Sequence, residues 1–297
     1  MSVHVDPSSH ESLIEDGGNV GSESLLKKLF QMLTGLVVLL LFLVIVYVTV
    51  ADFVIVNLPD SSVQKIHQMA RYIPLAHVHN PPEKLKDYLD ELFLQLVSSS
   101  ELKDREFELL LVKSSQINAF AYPGNRVVLT SELLKTVKSR NELAMVLGHE
   151  LGHFSSRDNL KAVSKQALAL FLFGFLLPKD MVASNLENSF QSSVLKFSRL
   201  QESKADSYAL YLVSELFGGN SSGVIDFFNR DEGVPSSLPI AQYLSTHPVG
   251  PQRVEALTKL MNQLRMEEKG LEDFPEWWET DLAELSGVPL LEMDEEL

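Results

Sequence analysis

Apolar and polar residues alternate along this chain with three distinct rhythms, and each predicts a different element. From Leu29 to Val50 the sequence LFQMLTGLVVLLLFLVIVYVTV holds no charge. At a helical rise of about 1.5 Å per residue these 22 residues span roughly 33 Å, enough to cross a bilayer. Beyond Pro81 and Pro82, the positions Leu85, Leu89, Leu92, Phe93 and Leu96 recur every three or four residues, which predicts an amphipathic helix opened by proline. Glu106 to Lys113 reads as a strand. From Ile117 to Leu134, two β-type runs flank the turn signal Pro123–Gly124, which predicts a hairpin running into a helix. A further helix starts at Asn141 and Glu142, another runs through SRLQESKADSYALYLVSEL, and Pro251 opens one with Val254, Leu257, Leu260, Met261 and Leu264 on one face. Ala167 to Leu177 is apolar but only 11 residues long, too short to span. It reads either as a core or interface helix or as a re-entrant or surface-lying membrane element.

Charge and composition narrow the class. The chain has 297 residues and a formal charge of −15, with the acids concentrated at the ends. Residues 1–24 carry five acids and no Lys or Arg; residues 266–297 carry twelve acids and one base. The body between them is close to neutral and shows no basic patch, which argues against nucleic-acid binding. There is no cysteine, so thiolate ligands, a cysteine nucleophile and disulfides are excluded. The expected organisation is a disordered acidic tail over 1–24, a membrane anchor over 25–57, one large domain over 58–265 and an acidic C-terminal tail over 266–297. Lys27 and Lys28 before the apolar run favour a cytoplasmic N-terminus with the large domain across the membrane. A cleaved signal peptide, with Thr49 and Ala51 at the small-residue positions, is the rival reading.

Candidate chemistry is concentrated in GHELGHFSSRD, Gly148 to Asp158. On a helix, His149 and His153 share a face and can aim two imidazoles at one zinc ion. Glu150 sits beside that point, placed to take a proton from a water that the metal polarises. Gly148 and Gly152 flank the histidines in a helix interior, which suggests a close approach to the backbone. Two histidines do not hold a catalytic zinc. Glu202, in RLQESKAD, is the expected third ligand, and Asp206 one turn later would accept the other ring N–H of a ligating histidine.

Together, NAFAYPGN, GHELGHFSSRD, RLQESKAD and THPVGPQR resemble the HtpX/BepA/CAAX-prenyl-protease family of gluzincin metallopeptidases, over roughly Val63 to Leu264. The resemblance implies a mostly helical α+β zincin-like domain with a small antiparallel sheet. It implies one Zn²⁺ per chain, held by His149, His153 and Glu202, with Glu150 as the base. By the same resemblance, Asn118, Ala119 and Phe120 lie on an edge strand that pairs with substrate backbone, a case of β-augmentation. His247 and Arg253 join Glu150 among the catalytic candidates. His247 would hydrogen-bond the oxyanion or cap the zinc at rest; Arg253 would steady Glu202 or that oxyanion. The chain departs from the family in three ways: Asn125 replaces the second glycine of its Pro-Gly-Gly turn, there is one convincing span rather than several, and no repeat domain is visible. Prenyl-protein processing is therefore not expected.

The expected function is a membrane-anchored zinc endopeptidase acting on extended chains in quality control of membrane or envelope proteins. Its expected location is the bacterial inner membrane, with the catalytic domain on the periplasmic side. The rival is a chaperone-like protein that uses the same cleft without turnover. Trp277 and Trp278, the only tryptophans, stand in the acidic segment, either as a packed appendage or as a docking or self-inhibitory motif for a partner. His4, His10, His77 and His79 have no assigned role.

Overall fold

A computed structural model describes residues 25–72, 75, 78–162, 164, 197–226, 247 and 251–286. The tail over 1–24, the apolar run Ala167 to Leu177 and residues 287–297 lie outside the described residues. By contacts the chain divides into two units, Met1–Val50 and Ala51–Leu297. In the first, the described residues form one apolar helix. This helix, α1 (Leu25–Asn57), continues into the second unit, and it is long and apolar enough to cross a membrane.

The second unit is mostly helical around one small sheet. In chain order, α2 (Asp60–Ala70) and β1 (Val78–His79) precede α3 (Glu83–Ser98), β2 (Glu108–Val112), β3 (Ala119–Tyr122) and β4 (Arg126–Thr130). Then follow α4 (Ser131–Thr136), α5 (Arg140–Ser155), α6 (Arg199–Leu216), α7 (Pro251–Gln263) and α8 (Trp278–Ser286). Leu85, Leu89, Leu92, Phe93 and Leu96, predicted on one face of α3, are buried, together with Val97. The hairpin predicted around Pro123–Gly124 is β3–β4, which runs directly into α4. Thr130 ends β4 and caps α4, accepting from the Leu133 N–H at 3.3 Å. Ser139 and Ser198 cap α5 and α6 in the same way.

The sheet differs from expectation in one respect. Its order is β1-β2-β4-β3, with β1–β2 and β3–β4 antiparallel but β2–β4 parallel, so it is mixed rather than antiparallel. The reason lies in RVVLT: every residue of β4 is buried, as suits a central strand covered on both faces. The hairpin therefore docks through β4 and leaves β3 outermost. Among the described residues, the outer edge of β3 carries no strand partner.

The core runs from α3 through the sheet to α5 and α6, and it continues past the boundary drawn at residue 265. Trp278 is 2% exposed and stacks on Phe274 with ring centroids 4.0 Å apart. Leu282 and Leu285 are buried beside it. Arg140, at the start of α5, donates its backbone N–H to the Glu272 carbonyl and pairs with the Glu272 carboxylate at 2.7 Å. Of the two readings of the aromatic pair, the packed appendage is the one observed: Trp278 is core, and Trp277 is partly buried against Tyr88.

Candidate metal centre

The helices α5 and α6 pack closely because one is notched by glycine where the other carries alanine. A Cβ added at Gly152 would lie 2.7 Å from Ala205 Cα, and one at Gly148 would lie 3.1 Å from Ala209 Cα. The approach inferred from the two glycines is therefore that of α6. It brings Glu202 and Asp206, one turn apart on α6, against His149 and His153, one turn apart on α5.

The result is a closed cluster. His149, His153, Glu202 and His247 are all buried, and each offers a donor atom within 4.8 Å of the others. His149 Nε2 lies 3.2 Å from His153 Nε2, 3.1 Å from His247 Nδ1 and 3.4 Å from Glu202 Oε2. Glu202 Oε1 lies 3.5 Å from His153 Nε2 and 3.3 Å from His247 Nδ1. A tetrahedral zinc with bonds of about 2.0–2.1 Å separates its donors by roughly 3.3 Å, so the donor set fits that ion in both type and spacing.

Electrostatics agree with a cation at this point. Burial lowers the pKa of His149, but Glu202 and Asp206 outweigh it and lift the value to about 10. Burial also works against the Glu202 carboxylate, yet the three surrounding imidazoles hold it far below the ordinary range. A site that holds a proton this firmly on imidazole has an excess of buried negative charge, which a divalent ion can balance in the proton's place.

Each ring is held from behind. Asp206 Oδ1 accepts from His149 Nδ1 at 2.9 Å, leaving Nε2 facing the cluster. Asp158 Oδ2 does the same for His153 at 3.4 Å, and its other oxygen accepts from Gln201 at 2.8 Å and Lys161 at 3.0 Å. Burial opposes ionisation of Asp158, but these donors hold its pKa below the usual value. Phe197 stacks on the His153 ring, centroids 3.7 Å apart. Arg253 grips Asp206 with two bonds of 2.6 Å, reaches Glu202 Oε2 at 2.8 Å and donates to the His247 carbonyl at 3.1 Å. Its contacts thus include Asp206 behind His149, the backbone of His247 and the Glu202 carboxylate itself.

Glu150 stands apart. It is fully buried, and neither carboxylate oxygen has a hydrogen-bond partner among the described residues. The facing group is His247, whose Nε2 lies 3.7 Å from Oε1. A buried carboxylate without a hydrogen bond is costly, and among the described residues this one keeps both oxygens free of hydrogen bonds beside the donor cluster.

The open-edged hairpin packs against α5. Ala119 is buried and Phe120 half-buried. Asn118 is tied to Thr130, through its N–H to the hydroxyl at 2.9 Å and through its carbonyl from the Thr130 N–H at 3.0 Å. At the hairpin tip Asn125 takes φ +56°, so the turn keeps its left-handed residue without a second glycine.

Sequence reasoning missed Asp158 and Phe197 as partners of His153. Asp158 had a visible signal, an acid five residues after the ligand, but Phe197 had none. It also passed over His67, on α2. The His67 ring is buried, and Nδ1 accepts from both the Gly124 and Asn125 N–H groups at 3.3 Å.

Paired helices carrying a His-Glu-x-x-His set and a glutamate from the second helix define a metallopeptidase site of the gluzincin class. The chain belongs to peptidase family M48, whose model matches residues 83–261. It is 31% identical over 180 residues to the mitochondrial metalloendopeptidase OMA1 of Arabidopsis thaliana, covering 59% of this chain and 35% of that protein. To the beta-barrel assembly-enhancing protease of Escherichia coli K12 it is 28% identical over 206 residues, covering 64% of this chain and 42% of that protein. The Yersinia pestis protein of the same name is 27% identical over 214 residues, 67% of this chain and 43% of its own length. The chain thus spans less than half the length of each of these relatives.

Proposed function

We propose that this protein is a membrane-anchored zinc endopeptidase that cuts extended polypeptide chains, with His149, His153 and Glu202 as ligands and Glu150 as the base. The observation that carries this reading is the buried Glu150 carboxylate, which faces His247 and has no hydrogen-bond partner among the described residues, beside a donor set spaced for zinc. When bound, zinc supplies Lewis acidity toward the scissile carbonyl and lowers the pKa of water at the site. Glu150 takes the proton from the attacking water and returns it to the leaving amine. Asp206 and Asp158 hold the two ring tautomers, and Arg253 steadies Glu202 and Asp206, which favours a positioning role for it over an oxyanion contact. Residues 118–120 present the open side of β3 to the chain to be cut, with the backbone groups of Ala119 available for pairing, since those of Asn118 are taken by Thr130.

Of the two roles weighed for His247, its Nδ1 in the donor cluster favours the resting cap. Withdrawal of His247 then frees a position for water and substrate, and its Nε2 becomes available to the oxyanion. The substrates we assign are unassembled or misfolded membrane and envelope proteins, consistent with the names of the bacterial relatives. Lys27 and Lys28 support a domain on the periplasmic side of a bacterial inner membrane, and protease shaving of spheroplasts reads that orientation directly.

Casein cleavage by the wild-type chain and Glu150→Gln, each with its zinc content measured, tests the reading. The expected result is equal zinc and a loss of turnover of at least about a hundredfold in the variant. Equal cleavage by both removes Glu150 as the base. Binding of casein without cleavage by either favours the chaperone-like alternative.

A further inference from the structure

The family match begins at residue 83, yet residues 55–71 touch both halves of the site. We propose that this segment is a brace of the active site, and that Arg157 and His67 are the positioning residues through which it holds the metal-binding helix and the open-edged hairpin to one another. The proposal rests on the peptidase reading for its kinetic consequence, but its structural part stands alone.

Arg157 closes one end of the brace. It follows α5 in the position where a chain leaves a helix with left-handed geometry, at φ +56°, a place glycine occupies without strain. A long cationic side chain there calls for a reason, and its contacts supply one. Nη1 donates to the carbonyls of Ile55 at 2.8 Å, Val56 at 3.1 Å and Leu58 at 2.6 Å, while Nη2 pairs with Asp60 at 2.9 Å. Those carbonyls lie at the end of α1, where helical geometry leaves acceptors without partners and a partial negative charge. One guanidinium thus ties the end of α1 and the start of α2 to the residue that terminates the metal-binding helix.

His67 closes the other end. The two N–H groups it accepts, from Gly124 and Asn125, form the tip of the β3–β4 hairpin. The backbone of α2 meets that tip directly: a Cβ at Gly124, where φ is +94°, would lie 3.0 Å from both Arg71 N and Arg71 Cα. Arg126 completes the seam, donating to the Pro123 carbonyl at 2.8 Å and to the Ala70 carbonyl at 3.1 Å. The His67 ring also packs on Phe154, next to the ligand His153, with centroids 5.8 Å apart. The segment therefore spans from the end of α5 to the end of the strand pair that presents β3, and the relative placement of these two elements sets where a paired chain meets Glu150.

The test uses the full chain, zinc-loaded, in detergent, with the variants His67→Phe, Arg157→Gly and Arg157→Lys. Hydrogen exchange over residues 119–130, zinc content, and kcat and KM on a quenched extended peptide are read together. His67→Phe keeps a ring against Phe154 but loses the acceptor. It is expected to speed hairpin exchange about tenfold and to raise KM by a similar factor, with kcat and zinc nearly unchanged. Arg157→Gly, which also relieves the left-handed backbone, is expected to speed exchange at both 51–60 and 119–130, and Arg157→Lys to restore part of the protection. Hairpin exchange and KM at wild-type values in folded His67→Phe and Arg157→Gly would overturn the brace. Should His67→Phe not fold, Arg71→Ala, whose side chain is 38% exposed, decides on the same readouts. A wild-type chain that cuts no peptide sinks the peptidase reading, while the exchange data still decide the brace.

Discussion

At Gly152 a single methyl group separates a working helix pair from a spread one. Gly152→Ala places a carbon 2.7 Å from Ala205 Cα, a backbone atom that cannot rotate away. The two helices must part, and since each carries members of the donor cluster, stability and metal affinity should fall together. The expected cost is about 1–3 kcal/mol in chemical denaturation, with weaker zinc binding by competition with a chelator. Asp206→Asn separates the two effects: packing is preserved, but the acceptor behind His149 and half of the Arg253 grip are weakened. Zinc affinity should fall by about 10–100-fold with the fold intact. At this scale the sequence was legible wherever partners lie on one helix face. His149 with His153 and Glu202 with Asp206 follow from the helical repeat alone. His153 with Phe197, and His67 with Gly124, join residues more than 40 positions apart. Neither residue type demands such a contact, so no local pattern announces it.

The elements carry their own prediction through His67 in α2. Burial, then the nearby Arg105 and Arg71 charges, lower its pKa from the usual 6.5 to about 4. The folded state therefore holds a neutral ring whose Nδ1 accepts two bonds, whereas the unfolded chain binds a proton below pH 6.5. The stability this supplies is complete above pH 6.5, shrinks as pH falls, and is fully lost below pH 4. The total is about 3 kcal/mol. Urea melts of wild type and His67→Phe between pH 7 and 4 should show a steeper loss in the wild type; parallel curves would remove His67 as the source. Helix boundaries and the hairpin were readable because capping residues and the Pro-Gly turn are local signals. The parallel pairing of β2 with β4 was not, because it depends on which strand of the hairpin is buried deeper, and alternation within a strand says nothing of its neighbours.

For the whole molecule, the acidic C-terminal segment is where the structure decides between two readings of the sequence. Its twelve acids and two tryptophans are compatible with a packed appendage or with a docking or self-inhibitory motif. Three apolar side chains, Trp278, Leu282 and Leu285, complete the core over α3 and α4, as the packed reading requires. Trp278→Ala should cost about 3–5 kcal/mol, and removal of residues 266–297 should lower the melting temperature rather than release activity. An unchanged melting temperature with higher turnover would restore the self-inhibitory reading. Zinc removal should act in the same direction: an ion that binds only the folded site stabilises it by mass action, so melting should fall on chelation and recover with added zinc.

The open side of β3 carries a consequence for what such an enzyme would select. Pairing along a strand edge reads main-chain amides, which every polypeptide possesses, so side-chain identity contributes little to entry. What a prospective substrate must supply is several consecutive residues free of their own secondary structure. A folded protein offers these only in its rare openings, and each 1.4 kcal/mol of its local stability makes such openings about tenfold scarcer. Cleavage rates across a set of destabilised mutants of one test protein should therefore follow the opening free energies of that protein rather than any consensus around the cut. The edge strand in effect would act as a thermometer of its clients, sorting them by how well they are folded.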